Sequence, residues 1–208
     1  MTQPTDNPTP ATAGADAAPL GRYLIVISGP SGAGKTSICR AAADRLGLPI
    51  STSATTRPPR EGEVDGRDYH FVDEATFRRR AGEGGFVEWA EVFGRLYGTP
   101  LDEVERARDR RDLLLLEIDV QGGIQVKERH PEALAILVLP PEPEALRARL
   151  TARGTDSPEE IQRRLDEAAR EVKAARDAGC YDREVVNDRL EDAVQHVVQW
   201  LQTRRNQV

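Results

Sequence analysis

Three uninterrupted apolar runs stand out along an otherwise polar chain, at 23–28 (YLIVIS), 113–119 (LLLLEID, with acidic residues at its end) and 135–139 (AILVL). Short runs that do not alternate with polar residues predict strands buried on both faces, the signature of a parallel sheet. A weaker run at 184–187 predicts a fourth strand. Residues 52–112 differ in character: short alternating stretches (69–72, 86–93), frequent glycines and most of the aromatics predict a small α+β insertion. After Pro140 a helix is predicted from Glu144, then a loop, then a capping box with Ser157 at the N-cap, Pro158 at N1 and Glu160 at N3. Ile161, Leu165, Ala168, Val172 and Ala175 recur at helical spacing on that second helix, which Gly179 should end. Strands alternating with helices, and two inserted modules at about 52–112 and 141–178, predict a parallel α/β core assembled from about 21–51, 113–140 and 179–208.

Composition narrows the class. The chain has 208 residues, 38% hydrophobic and 31% charged, enough for one well-buried core, and no apolar run approaches the ~18 residues of a membrane span. A formal net charge of −6 argues against a broad grip on nucleic acid, which needs many cations at once. Cys39 and Cys180 lack metal-ligand spacing and predict neither a zinc site nor a disulfide framework. Residues 1–20, rich in Pro, Thr and Ala, read as a disordered tail without a leader's basic and apolar regions, so the expected location is the cytoplasm.

The chemistry begins directly after the first apolar run. Gly29-Pro30-Ser31-Gly32-Ala33-Gly34-Lys35-Thr36 matches GxxxxGK[ST] between a predicted strand and a predicted helix, and Ser37 continues it. Glycines let successive N–H groups turn inward on phosphate oxygens, and the helix N-terminus adds partial positive charge. Lys35 is expected to reach the β- and γ-phosphates, and the Thr36 hydroxyl to ligate Mg²⁺. A nucleoside triphosphate is the implied ligand.

Further on, "TTRPPREGEVDGRDY" presents Arg57 and Arg60 around two stiffening prolines, followed by Glu63 and Tyr69; "FVEWAEVFGRLYGT" carries Glu88, Tyr97 and Thr99. Two fixed guanidinium groups and tyrosine hydroxyls suit a phosphate monoester, although a solvated basic turn reads equally well from that stretch alone. Glu88 could be an outward strand residue, and Thr99 could cap the helix opened by Pro100 and Asp102.

With "IDVQG" at 118–122, these motifs in this order resemble guanylate kinase over roughly residues 22–190. The resemblance implies a P-loop three-layer α/β core with a GMP-binding insertion and a helical lid, using MgATP to phosphorylate GMP, and dGMP as a further candidate. It implies Arg57, Arg60, Tyr69 and Tyr97 at the GMP phosphate, with Ser53, Glu88 and Thr99 facing guanine, and Glu63 of the same motif is counted among the substrate-binding candidates. The base assignment also has a physical basis: guanine offers N1–H and N2–H on one edge to a carboxylate, and adenine has no such pair of donors. Asp119 matches the family's aspartate near the metal or acceptor, with contact through water as one reading. Glu117 stands where Asp is expected, one methylene longer, which leaves a direct contact, a water-mediated one, or none. Arg149, Arg153 and Arg164 fall on the lid arginines, with Arg153 beside Gly154 the favoured functional one, while Arg147, Arg163 and Arg170 suit surface Glu–Arg pairing. Asn187 resembles the asparagine near adenine; a strand-end turn asparagine is the other reading.

The expected reaction is in-line attack of a GMP phosphate oxygen on the γ-phosphoryl group, with no general base because the acceptor is already anionic. Two alternatives stay open on sequence: a P-loop kinase for a sugar phosphate such as ribose 1,5-bisphosphate, and a non-catalytic scaffold binding phosphopeptides, against which the intact Gly34-Lys35-Thr36 argues. Oligomeric state, monomer or homo-oligomer, is not legible.

Overall fold

The computed structural model describes residues 18–92, 94–152 and 157–208. After a 3-10 turn at Leu20–Tyr23 the elements run β1 (Leu24–Ser28), α1 (Lys35–Leu46), β2 (Ala54–Thr55), β3 (His70–Phe71), α2 (Glu74–Gly82), β4 (Phe86–Val92) and β5 (Arg95–Pro100). They continue with α3 (Leu101–Arg110), β6 (Leu114–Glu117), α4 (Val120–Arg129), β7 (Leu134–Leu139), α5 (Pro143–Ala152), α6 (Pro158–Ala178), β8 (Arg183–Val186) and α7 (Leu190–Arg205).

The apolar runs assemble as a parallel sheet in the order β6-β1-β7-β8. Side chains alternate across β1: Ile25 and Ile27 pack on Ile38, Cys39 and Ala42 of α1 and on Val194, Val197 and Leu201 of α7. Leu24 and Val26 pack on the opposite face with Val104 and Ala107 of α3 and Val126 of α4. Helices therefore cover both faces, which explains why these strands carry no polar alternation. Because β1 lies inside the sheet, the loop that follows it opens at the carboxyl edge, the usual position for ligands in such sheets.

A second sheet, ordered β3-β2-β5-β4, forms within the 52–112 region. Its own core is Ala54, Phe77, Ala81, Phe86 and Leu96, with Phe77 stacked on Phe86 at 4.4 Å. The β4–β5 register shifts between Phe86 and Glu88. The bulge lets Val87 join the main core while Glu88 pairs with Thr99.

The region 141–178, expected to form a lid, holds α5 and α6. Leu146 and Leu150 of α5 pack against Ile161 and Ala168 of α6, with Leu165 at the margin. Ser157 Oγ accepts from Glu160 N and the Glu160 carboxylate accepts from Ser157 N, completing the capping box, and Gly179 ends the helix in a left-handed conformation. Ala175 and Val172 tie the far end of α6 to Leu137 and Leu139 of the main sheet.

Candidate active site

The phosphate loop takes its shape from its glycines. Gly29 and Gly34 have φ of 150° and 93°, and a Cβ on either would lie 2.1 Å from the Val138 carbonyl oxygen or 2.2 Å from Asn187 Nδ2. Gly34 is also the N-cap of α1 and brings no side-chain capping bond, so the helix's first-turn amides stay open to an external anion. Lys35 Nζ folds back on its own loop, donating to Gly29 O at 2.6 Å and Pro30 O at 3.1 Å. Burial lowers the Lys35 pKa, while the carboxylates of Glu171, Glu117 and Asp119 act in the opposite direction.

Hard oxygen donors gather beside the loop. The Thr36 hydroxyl donates to Glu117 Oε1, so the longer side chain at position 117 reaches the loop directly. Asp119 is the N-cap of α4 and accepts from Gly122 N at 2.7 Å. A hydroxyl and a carboxylate in contact suit Mg²⁺, which takes few protein ligands and fills the rest of its shell with water and phosphate. No cluster of three or more His, Cys, Asp or Glu suited to a metal occurs among the described residues.

Facing the loop is a cavity of about 240 Å³ lined by Lys35, Ser53, Tyr69, Glu88, Tyr97 and Asp119 among others. Glu88 lies at its inner wall, only 5% exposed, so the outward-strand reading is set aside. Glu88 Oε1 accepts from both Thr99 N (3.0 Å) and Thr99 Oγ1 (2.7 Å). Thr99 is thus committed to Glu88, and α3 has Pro100 as its N-cap without a side-chain capping bond. Burial pushes the Glu88 carboxyl up to about 7, against the pull of the Thr99 hydrogen bonds and with repulsion from Asp119.

Beside Tyr69 of the cavity wall, the Arg57 guanidinium pairs with Glu63 Oε1 at 2.8 Å and lies 5.3 Å from the Tyr69 ring centre, while Arg60 N donates to Glu63 Oε2 at 2.7 Å. Glu63 therefore acts on the two arginines, and its carboxyl is held below the usual range by Arg57. Tyr69 and Tyr97 meet edge to face at 6.0 Å.

The remaining residues cluster on the donor side. Arg164 Nη2 donates to Ser31 Oγ at 3.3 Å, and Arg149 Nη2 to the Asn187 carbonyl at 2.7 Å. Asn187 is 4% exposed and donates from Nδ2 to Ala33 O at 2.7 Å, a buttress beneath the phosphate loop. Ser37 is exposed on the first turn of α1. Arg153, the favoured lid arginine, lies outside the described residues, as do residues 1–17 of the expected tail and Phe93. Sequence reasoning missed Glu171, Tyr181 and Ser28. Glu171 Oε2 accepts from Ser31 N at 3.3 Å, and its spacing of seven from Arg164 was the available signal. The Tyr181 hydroxyl donates to Ser28 Oγ at 2.9 Å, and Ser28 Oγ to Asp119 O at 2.8 Å, a link that no local pattern announces.

A phosphate loop that shares its lysine with a second, carboxylate-floored cavity, at the carboxyl edge of a parallel sheet, defines the class of P-loop α/β kinases. Comparison with known proteins then names the family. The guanylate kinase family model matches residues 21–204. The chain is 52% identical over 171 residues to a guanylate kinase of Thermus thermophilus, covering 82% of this chain and 76% of that one. It is 48% identical over 172 residues to the enzyme of Symbiobacterium thermophilum, covering 82% and 80%. A crystal structure of guanylate kinase from Anaplasma phagocytophilum superposes with a TM-score of 0.68 at 30% identity, covering 91% of this chain and 88% of that one. The chain belongs to the guanylate kinase family.

Proposed function

We infer that this chain catalyses ATP + GMP → ADP + GDP. The observation that carries the reading is the buried Glu88 carboxylate at the inner wall of a cavity that also contains Lys35. A carboxylate there accepts the paired N1–H and N2–H donors of guanine, and AMP would leave it unpaired in a desolvated pocket. With Glu88 on the base, the GMP phosphate extends toward Tyr69, Tyr97, Arg57 and Arg60, with Ser53 at the wall.

On the donor side, the amides of the phosphate loop and of the first turn of α1 cradle the triphosphate, and Lys35 swings from its carbonyls to the phosphoryl oxygens. Mg²⁺, when bound, neutralises charge on the β- and γ-phosphoryl groups. Thr36 and Glu117 would hold it, with Asp119 acting through water. Arg164, together with Arg149 and Arg153, brings cationic charge from the lid. A GMP phosphate oxygen attacks the γ-phosphorus in line, its bond forms as the bond to the ADP oxygen breaks, and ADP leaves. No side chain need remove a proton, because the acceptor is a dianion near neutral pH. Positioning and charge neutralisation therefore supply the catalysis.

The test is ADP release from MgATP with GMP, dGMP, AMP, UMP or ribose 1,5-bisphosphate as acceptor. Activity confined to the guanine nucleotides and absent in Lys35→Ala supports the reading; a preference for the sugar phosphate, or no acceptor-dependent ADP, overturns it.

A further inference from the structure

The lid helix touches the phosphate loop with two opposite charges at one residue. Arg164 and Glu171, seven positions apart on α6, lie on the same helical face, and both meet Ser31: Arg164 Nη2 at the hydroxyl and Glu171 Oε2 at the backbone amide, each at 3.3 Å. An arginine there suits an incoming phosphate. A carboxylate opposes one, yet it occupies an amide of the loop built to receive anions, with Lys35 close enough for the two charges to influence each other.

We propose that Glu171 sets the affinity of the donor site for ATP: its carboxylate stands in for the terminal phosphate at the Ser31 amide and must be displaced when the triphosphate binds. Two anions cannot share one amide and one ammonium group without strong repulsion. The displaced side chain has a place to go. A cavity of about 740 Å³ between α4 and α6 is lined by Glu171 itself, by Arg129 and Arg170, and by the carboxylates of Glu91, Asp119, Glu128 and Glu167, so the displaced side chain has room there with two arginines among its neighbours. After transfer, ADP no longer fills the terminal position and Glu171 returns to the amide. The same residue thus weakens ATP in the ground state and restores the loop for the next cycle.

The inference rests on the donor site being the ATP site, and calorimetric titration of the full chain with MgATP and MgADP separates the two. Failure of the parent chain to bind MgATP would overturn both. If the parent binds, Glu171→Gln is expected to tighten MgATP about tenfold, the worth of removing one charge-assisted hydrogen bond from the competition. MgADP, with one phosphate fewer, should gain less. Glu171→Ala should shift in the same direction, and Glu159→Gln, at the exposed start of α6 and outside that cavity, should leave both affinities unchanged. Unchanged or weakened MgATP binding in Glu171→Gln, an equal gain for MgADP, or an equal gain in Glu159→Gln would overturn the proposal.

Discussion

Replacing Glu88 by glutamine should make the protein more stable and less active, and both effects have a magnitude that follows from burial. The Glu88 carboxyl rises from an ordinary value of 4.5 to about 7 in the folded chain. Each tenfold change in proton affinity is worth ~1.4 kcal/mol, so holding Glu88 ionised in its pocket costs about 3 kcal/mol relative to the unfolded chain. The sign follows from where the proton sits. Below 4.5 the group is neutral in both states and carries no penalty; between 4.5 and 7 the unfolded chain releases its proton first, and stability falls; above 7 the full penalty applies. Glutamine has the same shape and no charge. In urea titrations of both proteins at pH 4.5 and pH 8.5, the difference in unfolding free energy should move by about 3 kcal/mol in favour of the variant at the higher pH. The same substitution removes the charged acceptor for guanine, and kcat/KM for GMP should fall about a hundredfold or more. A stability difference that is the same at both pH values would refute the reasoning, because Glu88 would then carry no buried-charge penalty for GMP to relieve.

Three further outcomes are expected. Thr99→Val removes the hydroxyl that donates to Glu88 Oε1; steady-state kinetics should show KM for GMP raised about tenfold, the worth of a hydrogen bond to a charged group, with KM for ATP unchanged. Gly34→Ala forces a Cβ to within 2.2 Å of Asn187 Nδ2 at a φ of 93°, so titration with MgATP should show binding lost or reduced by at least ~100-fold while far-UV circular dichroism is retained. Leu150→Ala empties a fully buried position between α5 and α6; thermal unfolding should report a loss of about 2–5 kcal/mol.

The features most legible in the sequence were those with short-range causes. Uniform apolar runs announced the three strands β6, β1 and β7 because they are buried, the exposed edge strand β8 left only a weaker run, and Ser157, Pro158, Glu160 and Gly179 announced both ends of α6 because capping is local. The phosphate loop was legible because Gly29 and Gly34 occupy positions where any side chain collides. Less legible was whatever depends on distant segments meeting. That Glu88 is buried follows from a bulge in β4 and from Thr99 eleven residues away. That Asn187 supports the loop follows from β8 ending beside β7, bringing it to Ala33 across 154 positions. Glu63 was legible only as part of the motif; that its oxygens hold Arg57 and the Arg60 amide depends on how the loop folds.

The central claim is that the γ-phosphoryl group passes to GMP held on Glu88. Its most direct test is to incubate the protein with γ-labelled MgATP and GMP and to separate the products. The account predicts label in the β-phosphate of GDP, none in inorganic phosphate above the level without GMP, and none in GDP with Lys35→Ala. Label appearing as inorganic phosphate, or transferred equally to AMP, would contradict it.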